Sequence, residues 1–322
     1  MMSQVSAHET HMMPFAKVIN VAKRNPIWLV LVVLIALFSF QTPYFLTVFN
    51  LSNILYQAAL IGFLAVGLTP VLINGNVDLS VGAMVALSAC LAVSLQHIGF
   101  VPALVIAVLA CTFLGLLNGI IVEYTGVNSF IVTLAAMLGV RGLAFLYAGD
   151  TSLSSPTSDL MELGMMAVGP LSATAIVFVI FVVVFQIMLS RTAHGRNTYA
   201  IGGNRAACEN AGVHVRRNVI VNFAVSGTMA GIAGVSMAAQ LGAATPSYGA
   251  EYELWAIIAI VLGGTSLQGG RGTMIGTFGA VLALAALRNG LNLIQVSGFY
   301  VLVILGLTLI IALVLDRQFN RE

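Results

Sequence analysis

Charge is what this sequence has least of. Asp, Glu, Lys and Arg make up 7% of its 322 residues, against roughly a quarter in soluble domains. With a mean hydropathy of +1.02, that shortage excludes a soluble globular chain. Lysine is scarcer still: Lys17 and Lys23 stand alone, each preceded by Ala. A phosphate-cradling loop of the form G-x-x-x-x-G-K-[ST] is therefore absent, and the chain does not hydrolyse ATP in that way. The three cysteines (Cys90, Cys111, Cys208) contain no C-x-x-C pair and the five histidines show no metal spacing, so no disulfide, metal site or resident cofactor is expected. Acids within apolar stretches are few. Asp78 and Glu123 lie near membrane depth, and no string of carboxylates marks an ion path. No nucleic-acid partner is expected.

What is abundant is apolar sequence. Stretches near 20 residues with few or no charges have the length of a membrane-spanning helix. Runs such as IVFVIFVVVFQIML (176–189) are apolar on every face, whereas strands of a membrane barrel alternate. The expected fold class is all-α: a polytopic membrane helix bundle in the lipid bilayer, with about ten transmembrane helices. The spans are placed at 27–41, 53–74, 82–98, 101–122, 128–148, 170–190, 218–241, 252–266, 273–289 and 298–315. The first apolar run ends in FSFQTPYF rather than a small-residue cleavage site, so it reads as an uncleaved span.

Lys17, Lys23 and Arg24 precede that span and Arg317 and Arg321 follow the last. By the positive-inside rule both termini are cytoplasmic. The organisation is then a segment 1–26, one transmembrane domain 27–316, and a tail 317–322. The stretches assigned outside, 149–163 and 246–253, carry acids and no Lys or Arg. Arg141 and Arg288 fit least well, and each is expected to snorkel or to face a wet cavity.

Two features break the apolar pattern. Glycine, with 32 residues, recurs as small-xxx-small pairs, Gly115–Gly119, Gly227–Gly231 and Gly272–Gly276, which let helix backbones approach closely. Segment 191–217, RTAHGRNTYAIGGNRAACENAGVHVRR, concentrates five of the thirteen Lys and Arg residues: Arg191, Arg196, Arg205, Arg216 and Arg217. On composition it reads equally as a rigid cytoplasmic handle for a separate motor or as a basic loop against anionic lipid. Stretches 72–88 and 262–284 also look alike. Each leaves an apolar helix, passes a Gly/Asn/Ser/Asp interruption and re-enters an apolar run, as broken helices of internal repeats do.

The segment GRNTYAIGGNRAACENAGVHV resembles the cytoplasmic loop of the ribose-type (carbohydrate uptake class 2) ABC transporter permeases. The match rests on Gly195, Arg196, Tyr199, Ala200, Gly202, Asn204, Ala206, Ala207, Gly212 and Val215. NVDLSVG (76–82), YELWAIIAIVLGGTSLQGGRGT (252–273) and NGLNLI (289–294) are similar to further motifs of that family, in the same order. The resemblance runs from about residue 50 to 316.

The resemblance implies a non-enzymatic transport subunit of a bacterial inner-membrane importer for a monosaccharide. Its implied partners are ABC ATPase subunits, which hold ATP and Mg, a second permease chain, identical or paralogous, and a periplasmic sugar-binding protein. It implies that 191–217 carries the ATPase-coupling element, through Gly195, Arg196, Tyr199, Gly202, Asn204, Ala207, Glu209 and Gly212. Gly195 and Gly212 are expected as bends, Arg196 and Glu209 as charged contacts.

A sugar path needs hydrogen-bonding groups and aromatic faces. Its candidates are Asn53, Gln57, Asp78, Asn118, Phe130, Thr133, Asn289 and Asn292. Helix–helix hydrogen bonding explains the same residues, and Asp78 also reads as the cap of a helix starting at Leu79. Glu251 and Glu253 are the candidate surface acids for binding-protein docking. His194 and His214 read as ordinary loop residues. The sequence departs from the family pattern at Asn76, Asn128 and Trp255, the last replacing an acid.

Overall fold

The computed structural model describes residues 26–149 and 151–297, with positions 300, 303, 306 and 307. Residues 1–25, most of the tenth expected span and the tail 317–322 lie outside them, together with the flanking Lys17, Lys23, Arg24, Arg317 and Arg321. The described chain is helical, with two short strand pairs.

Local sequence explains most helix boundaries. After α1 (Ile27–Gln41), α2 (Val48–Ile73) starts at Thr47, whose hydroxyl accepts the Asn50 N–H at 3.3 Å. Helix α3 (Val81–Ser94) continues as a 3-10 turn to Ile98. Helix α4 (Phe100–Thr125) stops at Gly126, φ 70°. Asn128 caps α5 (Ser129–Ala148) by accepting the Phe130 N–H at 2.8 Å, which gives that departure from the family pattern a local role. A short helix α6 (Asp159–Met165) is followed by α7 (Ala173–Arg191). Segment 191–217 folds as α8 (Ala193–Gly203) and α9 (Arg205–Asn210), then enters α10 (Val215–Leu241). Helices α11 (Tyr252–Leu262) and α12 (Met274–Leu293) close the described chain.

Seven helices are long and apolar enough to cross a membrane: α2, α3 with its 3-10 turn, α4, α5, α7, α10 and α12. This supports the all-α polytopic bundle, with seven candidate spans and two shorter apolar helices, α1 and α11, among the described residues. The eighth expected span (252–266) is shorter than placed. Helix α11 has 11 residues, or about 16 Å at 1.5 Å per residue, against a hydrocarbon core of roughly 30 Å. It stops because Gly264 turns left-handed at φ 90°, and loop 263–273 continues towards the end of the bundle that carries α8 and α9. That end is called the basic end below, and the opposite one the acidic end.

The bundle is built around α2. Buried residues make up 78% of its apolar window, against 22% for α4, so α2 is central and α4 peripheral. Phe178 of α7 fills the space that Gly62 leaves on α2, edge-on to Phe63 at 5.8 Å between centroids. Helices α4 and α10 pack through the expected glycine pairs. A Cβ on Gly227 would lie 2.2 Å from the Cys111 carbonyl oxygen, and one on Gly115 2.3 Å from that of Phe223. Such backbone approach is the main source of helix association where lipid offers no hydrophobic drive.

At the acidic end β1 (Leu153–Ser154) pairs antiparallel with β4 (Ala243–Ala244), tying the loop after α5 to the end of α10. A second pair, β2 (Ala167–Val168) with β3 (Leu171–Ser172), leads into α7. Arg141 does not snorkel. Its guanidinium donates to the carbonyls of Pro246 and Tyr248 at 2.7 and 2.6 Å, so it clamps the loop before α11. Arg288 lies 5.8 Å over the Trp255 ring, a cation–π contact that takes up the substituted position.

Gly227→Val is expected to drive α4 from α10 and cost about 1–3 kcal/mol or more. Gly139→Ala on the open face of α5, where an added Cβ meets nothing within 4 Å, should be neutral. Thermal unfolding in detergent checks both, and equal stability of the two variants would refute the glycine-mediated packing.

Candidate functional site

The site is built from two turns with the same backbone chemistry. Where α2 ends, Gly75 is left-handed (φ 83°). Its N–H bonds to Leu72 O at 2.9 Å, and the Asn76 N–H returns to Val71 O at 3.0 Å. Where α11 ends, Gly264 is left-handed in turn. Its N–H bonds to Val261 O at 2.9 Å and the Thr265 N–H to Ile260 O at 3.1 Å. Both are glycine C-caps of the six-to-one type, so the likeness of 72–88 to 262–284 has a local structural basis.

At the basic end the turn at Gly75 meets the loop that follows Gly264, and α8 lies across that contact. The Gly270 N–H donates to the Ile73 carbonyl at 2.8 Å. Above that bond sits Gly202, where a Cβ would fall 1.8 Å from Ile73 O and 2.5 Å from Gly270 N. A Cβ on Gly269 would stand 2.9 Å from the Cα of Gly75 and 3.1 Å from that of Gly202. No side chain fits between the three segments. Tyr199, one turn earlier on α8, donates its hydroxyl to Gly272 O at 2.8 Å. Burial pushes its phenol up from the ordinary value, which keeps it a donor there.

A polar network fastens α8 from its other side. Asn218 on α10 accepts from the Asn74 amide at 3.2 Å through Oδ1, and the Thr198 hydroxyl lies 3.1 Å from the same oxygen. The Asn218 amide reaches His194 Nδ1 and His194 O, both at 3.1 Å. Since Nδ1 accepts, the ring proton is on Nε2 and donates to Asn222 Oδ1 at 2.8 Å. Asn222 in turn donates to Pro70 O on α2 at 3.4 Å. His194 is therefore a fastening residue rather than an ordinary loop histidine. The i, i+4 spacings His194–Thr198 and Asn218–Asn222 were the readable signal, since each pair lies on one helix face.

Helix α9 is attached by charge. Arg205 makes a bidentate pair with Glu123 at the end of α4, at 2.8 and 2.7 Å. The Glu123 side chain is 0% exposed and that of Arg205 45%. The hydrogen bonds to Glu123 hold the Arg205 guanidinium above its usual value. Arg205 also reaches Glu209 at 3.1 Å, one helical turn on. Beneath α9, Cys208 joins Ile201, Val71, Val122, Val215, Val219 and Phe223 in a small apolar core.

Of the expected coupling residues, Tyr199 and Gly202 make the tertiary contacts just described. Asn204 caps α9 by accepting the Ala207 N–H at 3.0 Å. Gly212 is the expected bend, left-handed at φ 77°. Gly195 is not a bend. It lies in the first turn of α8, where a Cβ would fall 2.4 Å from the carbonyl oxygens of Met188 and Leu189, so glycine is needed for close approach to α7. Arg196 is exposed, and Glu209 is exposed and paired with Arg205.

The expected pathway residues do not converge on one cavity. Asp78 and Asn118 meet in a buried cluster between α3, α4 and α10. Asp78 accepts from Ser80 N–H at 3.0 Å, from the Ser80 hydroxyl at 2.5 Å and from the Ser226 hydroxyl at 3.0 Å, and Asn118 donates to Ser80 Oγ at 2.9 Å. Helix α3 starts at Val81 rather than Leu79, so Asp78 holds the turn before the helix and Ser80 is the N-cap. Thr133 donates to Ser129 O at 2.8 Å and Phe130 is exposed. Asn289 exchanges side-chain amide bonds with Asn50 at 3.0 and 2.9 Å. Gln57 lines a cleft with Trp255 and Arg288. Asn53 is half-buried and Asn292 exposed. At the acidic end Glu251 is exposed, but Glu253 is buried, its Oε2 against Gly82. Glycine at 82 leaves room for that carboxylate to turn inward, so it is not a surface acid.

A helical membrane bundle with a short two-helix arm bound to its core is the class defined by this architecture. The chain belongs to the family described as branched-chain amino acid transport system / permease component, which matches residues 50–313. It is 38% identical over 292 residues to the ribose import permease protein RbsC of Bacillus subtilis (strain 168), covering 89% of this chain and 91% of that one. It is 33% identical to the D-allose transport system permease protein AlsC of Escherichia coli (strain K12), with 91% of each chain covered. Identity to the galactose/methyl galactoside import permease protein MglC of the same strain is 34%, over 91% of this chain and 94% of that one. No solved structure matches this chain.

Arg205→Ala leaves Glu123 buried without its partner. The expected loss is about 1–3 kcal/mol, below that of a fully buried pair because Arg205 is partly solvated. Arg205→Lys should recover little of it, since the two-pronged geometry is lost. Hydrogen exchange of 193–212 should rise while α2 stays protected. A rise in both would show global loosening instead of local release of the arm.

Proposed function

We propose that this chain is the transmembrane subunit of an ATP-driven, binding-protein-dependent importer that carries a monosaccharide across a bacterial inner membrane. The observation that carries the reading is the backbone junction of Ile73, Gly202 and Gly270, in a chain whose relatives are sugar import permeases. In this reading the basic end is cytoplasmic, and ATP and Mg are held by a separate ATPase chain that docks on α8 and α9.

The arm suits that task because it is stiff and shares contacts with several spans. A displacement of the arm is passed through Gly202 to the end of α2 and to loop 263–273, through His194 and Thr198 to α10, and through Arg205 to α4. Packed backbones transmit strain rather than absorb it. Alternating access then follows from rocking these helices about the pathway, with no covalent chemistry in this chain.

A second permease chain completes the pathway, identical to this one or paralogous, and an extracytoplasmic sugar-binding protein docks at the acidic end, where Glu251 is exposed. Trp255 under Arg288 favours a second reading of the cargo within the same architecture, such as a furanose sugar or a signalling molecule. A bulky cation–π pair at the acidic end reshapes the mouth through which a released solute would enter.

The test is uptake of labelled ribose, allose and galactose into proteoliposomes that hold this chain, its ATPase and its binding protein. Uptake should require ATP inside the vesicle. Uptake of equal rate without ATP, driven by an ion gradient, would sink the proposal.

Gly202→Val is expected to lower ATP-driven uptake by about tenfold or more, on the scale of overpacking a tight contact, while Gly203→Ala, with nothing within 4 Å of the added Cβ, should retain it. ATPase activity should persist but lose its dependence on sugar. Coupled activity retained in the Val variant would exclude the junction from the transmission path.

A further inference from the structure

Beside the arm an open cleft of about 580 Å³ lies between the end of α4 and the start of α10. Its polar wall is Arg216, Arg217 and His214, and its floor is Ile220 and Val221 on α10. The Arg216 guanidinium lies 5.2 Å over the Tyr124 ring, which holds one cation at the rim. Among the described residues, neither Arg216 nor Arg217 makes an ion pair. The acid at the edge, Glu209, is engaged by Arg205 at 3.1 Å, so the cleft keeps an excess of positive charge.

Its location favours one kind of anion. Leu109, Phe113 and Ile121 form an exposed apolar stripe along α4, and Tyr124 ends that stripe at 68% exposure. Val221 continues the apolar surface on α10 at 38%. The cleft therefore lies where a long apolar face stops and cations begin, the height at which headgroups sit and tyrosine is favoured. An anionic headgroup would lie between two guanidiniums, with its acyl chains along the α4 stripe. The apolar stripe runs on along α4 away from the arm, at Leu109, Phe113 and Ile121, where acyl chains and not a protein docked on the arm would lie.

We propose that this cleft binds the headgroup of an anionic phospholipid from the adjoining leaflet and so ties the arm's position to the lipid around it. The ligand contacts Arg216 and Arg217, next to Glu209, which Arg205 engages while it holds α9 to Glu123 of α4. Bound lipid therefore stiffens the joint between the arm and α10.

The whole chain, in nanodiscs of phosphatidylcholine with or without phosphatidylglycerol, gives the test. Native mass spectrometry should find phosphatidylglycerol retained on the wild-type chain, with a higher melting temperature than in phosphatidylcholine alone. Arg216→Gln with Arg217→Gln should cut retention by about thirtyfold, on the scale of two juxtamembrane cations. Arg216→Lys with Arg217→Lys should keep most of it, which separates lost charge from lost fold. Arg191→Gln, an exposed cation outside the cleft, should leave retention unchanged. Millimolar inorganic phosphate should not displace the lipid.

Four results would overturn the proposal. Undiminished retention in the double Gln variant would remove the site. An equal loss in Arg191→Gln would reduce it to diffuse charge. Ready displacement by phosphate would make it a free-anion site. Displacement of the retained lipid by an added ATPase chain would make it a protein docking surface.

Discussion

The bond from the Gly270 amide to the Ile73 carbonyl, with Gly202 lying across it, is the constraint on which the basic end depends. Three backbones meet there with no side chain between them. Each would be forced apart by a single methyl group: at Gly202 the added carbon would stand 1.8 Å from the Ile73 oxygen. Helix α8 therefore touches the end of α2 and the loop after α11 through main chain, which has no rotamers to absorb a push. The fastening by Tyr199, Thr198 and His194 and the pair between Arg205 and Glu123 presuppose that contact, because they lock an arm that glycine has already brought within reach.

Elsewhere the bundle treats polar groups in the same economical way. Asp78 is shared between two serines, Asn50 exchanges amide bonds with Asn289, and Arg141 is spread over two carbonyls of the loop before α11. A polar group left unpaired in a medium without water costs several kcal/mol, so each is matched by a neighbour from a distant part of the chain. The same bonds hold the two ends of the bundle differently. The acidic end is tied by Arg141 and a short strand pair, the basic end by glycine junctions and ion pairs. Motion of the arm relative to the spans is thus constrained at the basic end by backbone and side chains together.

Much of this was legible in the residues. Apolar runs located nine helices to within a few residues, except that α2 begins earlier and α11 ends sooner than hydropathy suggested. Paired glycines at 115, 119, 227 and 231 marked the α4–α10 contact, and the glycine-bearing segment 191–217 marked the arm. What escaped was the assignment of partners. Arg141, in an apolar span, looked set to snorkel or face a wet cavity, yet it turns onto the carbonyls of Pro246 and Tyr248. Glu253 looked like a surface acid because 246–253 is polar, yet it is buried against Gly82. Gly195 looked like a bend because glycine in a loop usually is one, but there it serves an approach to α7. His194 looked ordinary because its partners, Asn218 and Asn222, are more than twenty residues away.

The sequence by itself determined which stretches are helical, to within a few residues at their ends, and which glycines and capping residues end them. Each of these is set by residues within a turn or two, through propensity, capping and the absence of a Cβ. Only the tertiary structure decided that the turn at 75 and the loop after 264 share one junction, that Glu123 receives Arg205, and that the cations at 216 and 217 line a cleft at the foot of an apolar face. Those pairings depend on how helices pack in three dimensions, and a glycine or an arginine carries no mark of which distant backbone or carboxylate it will meet.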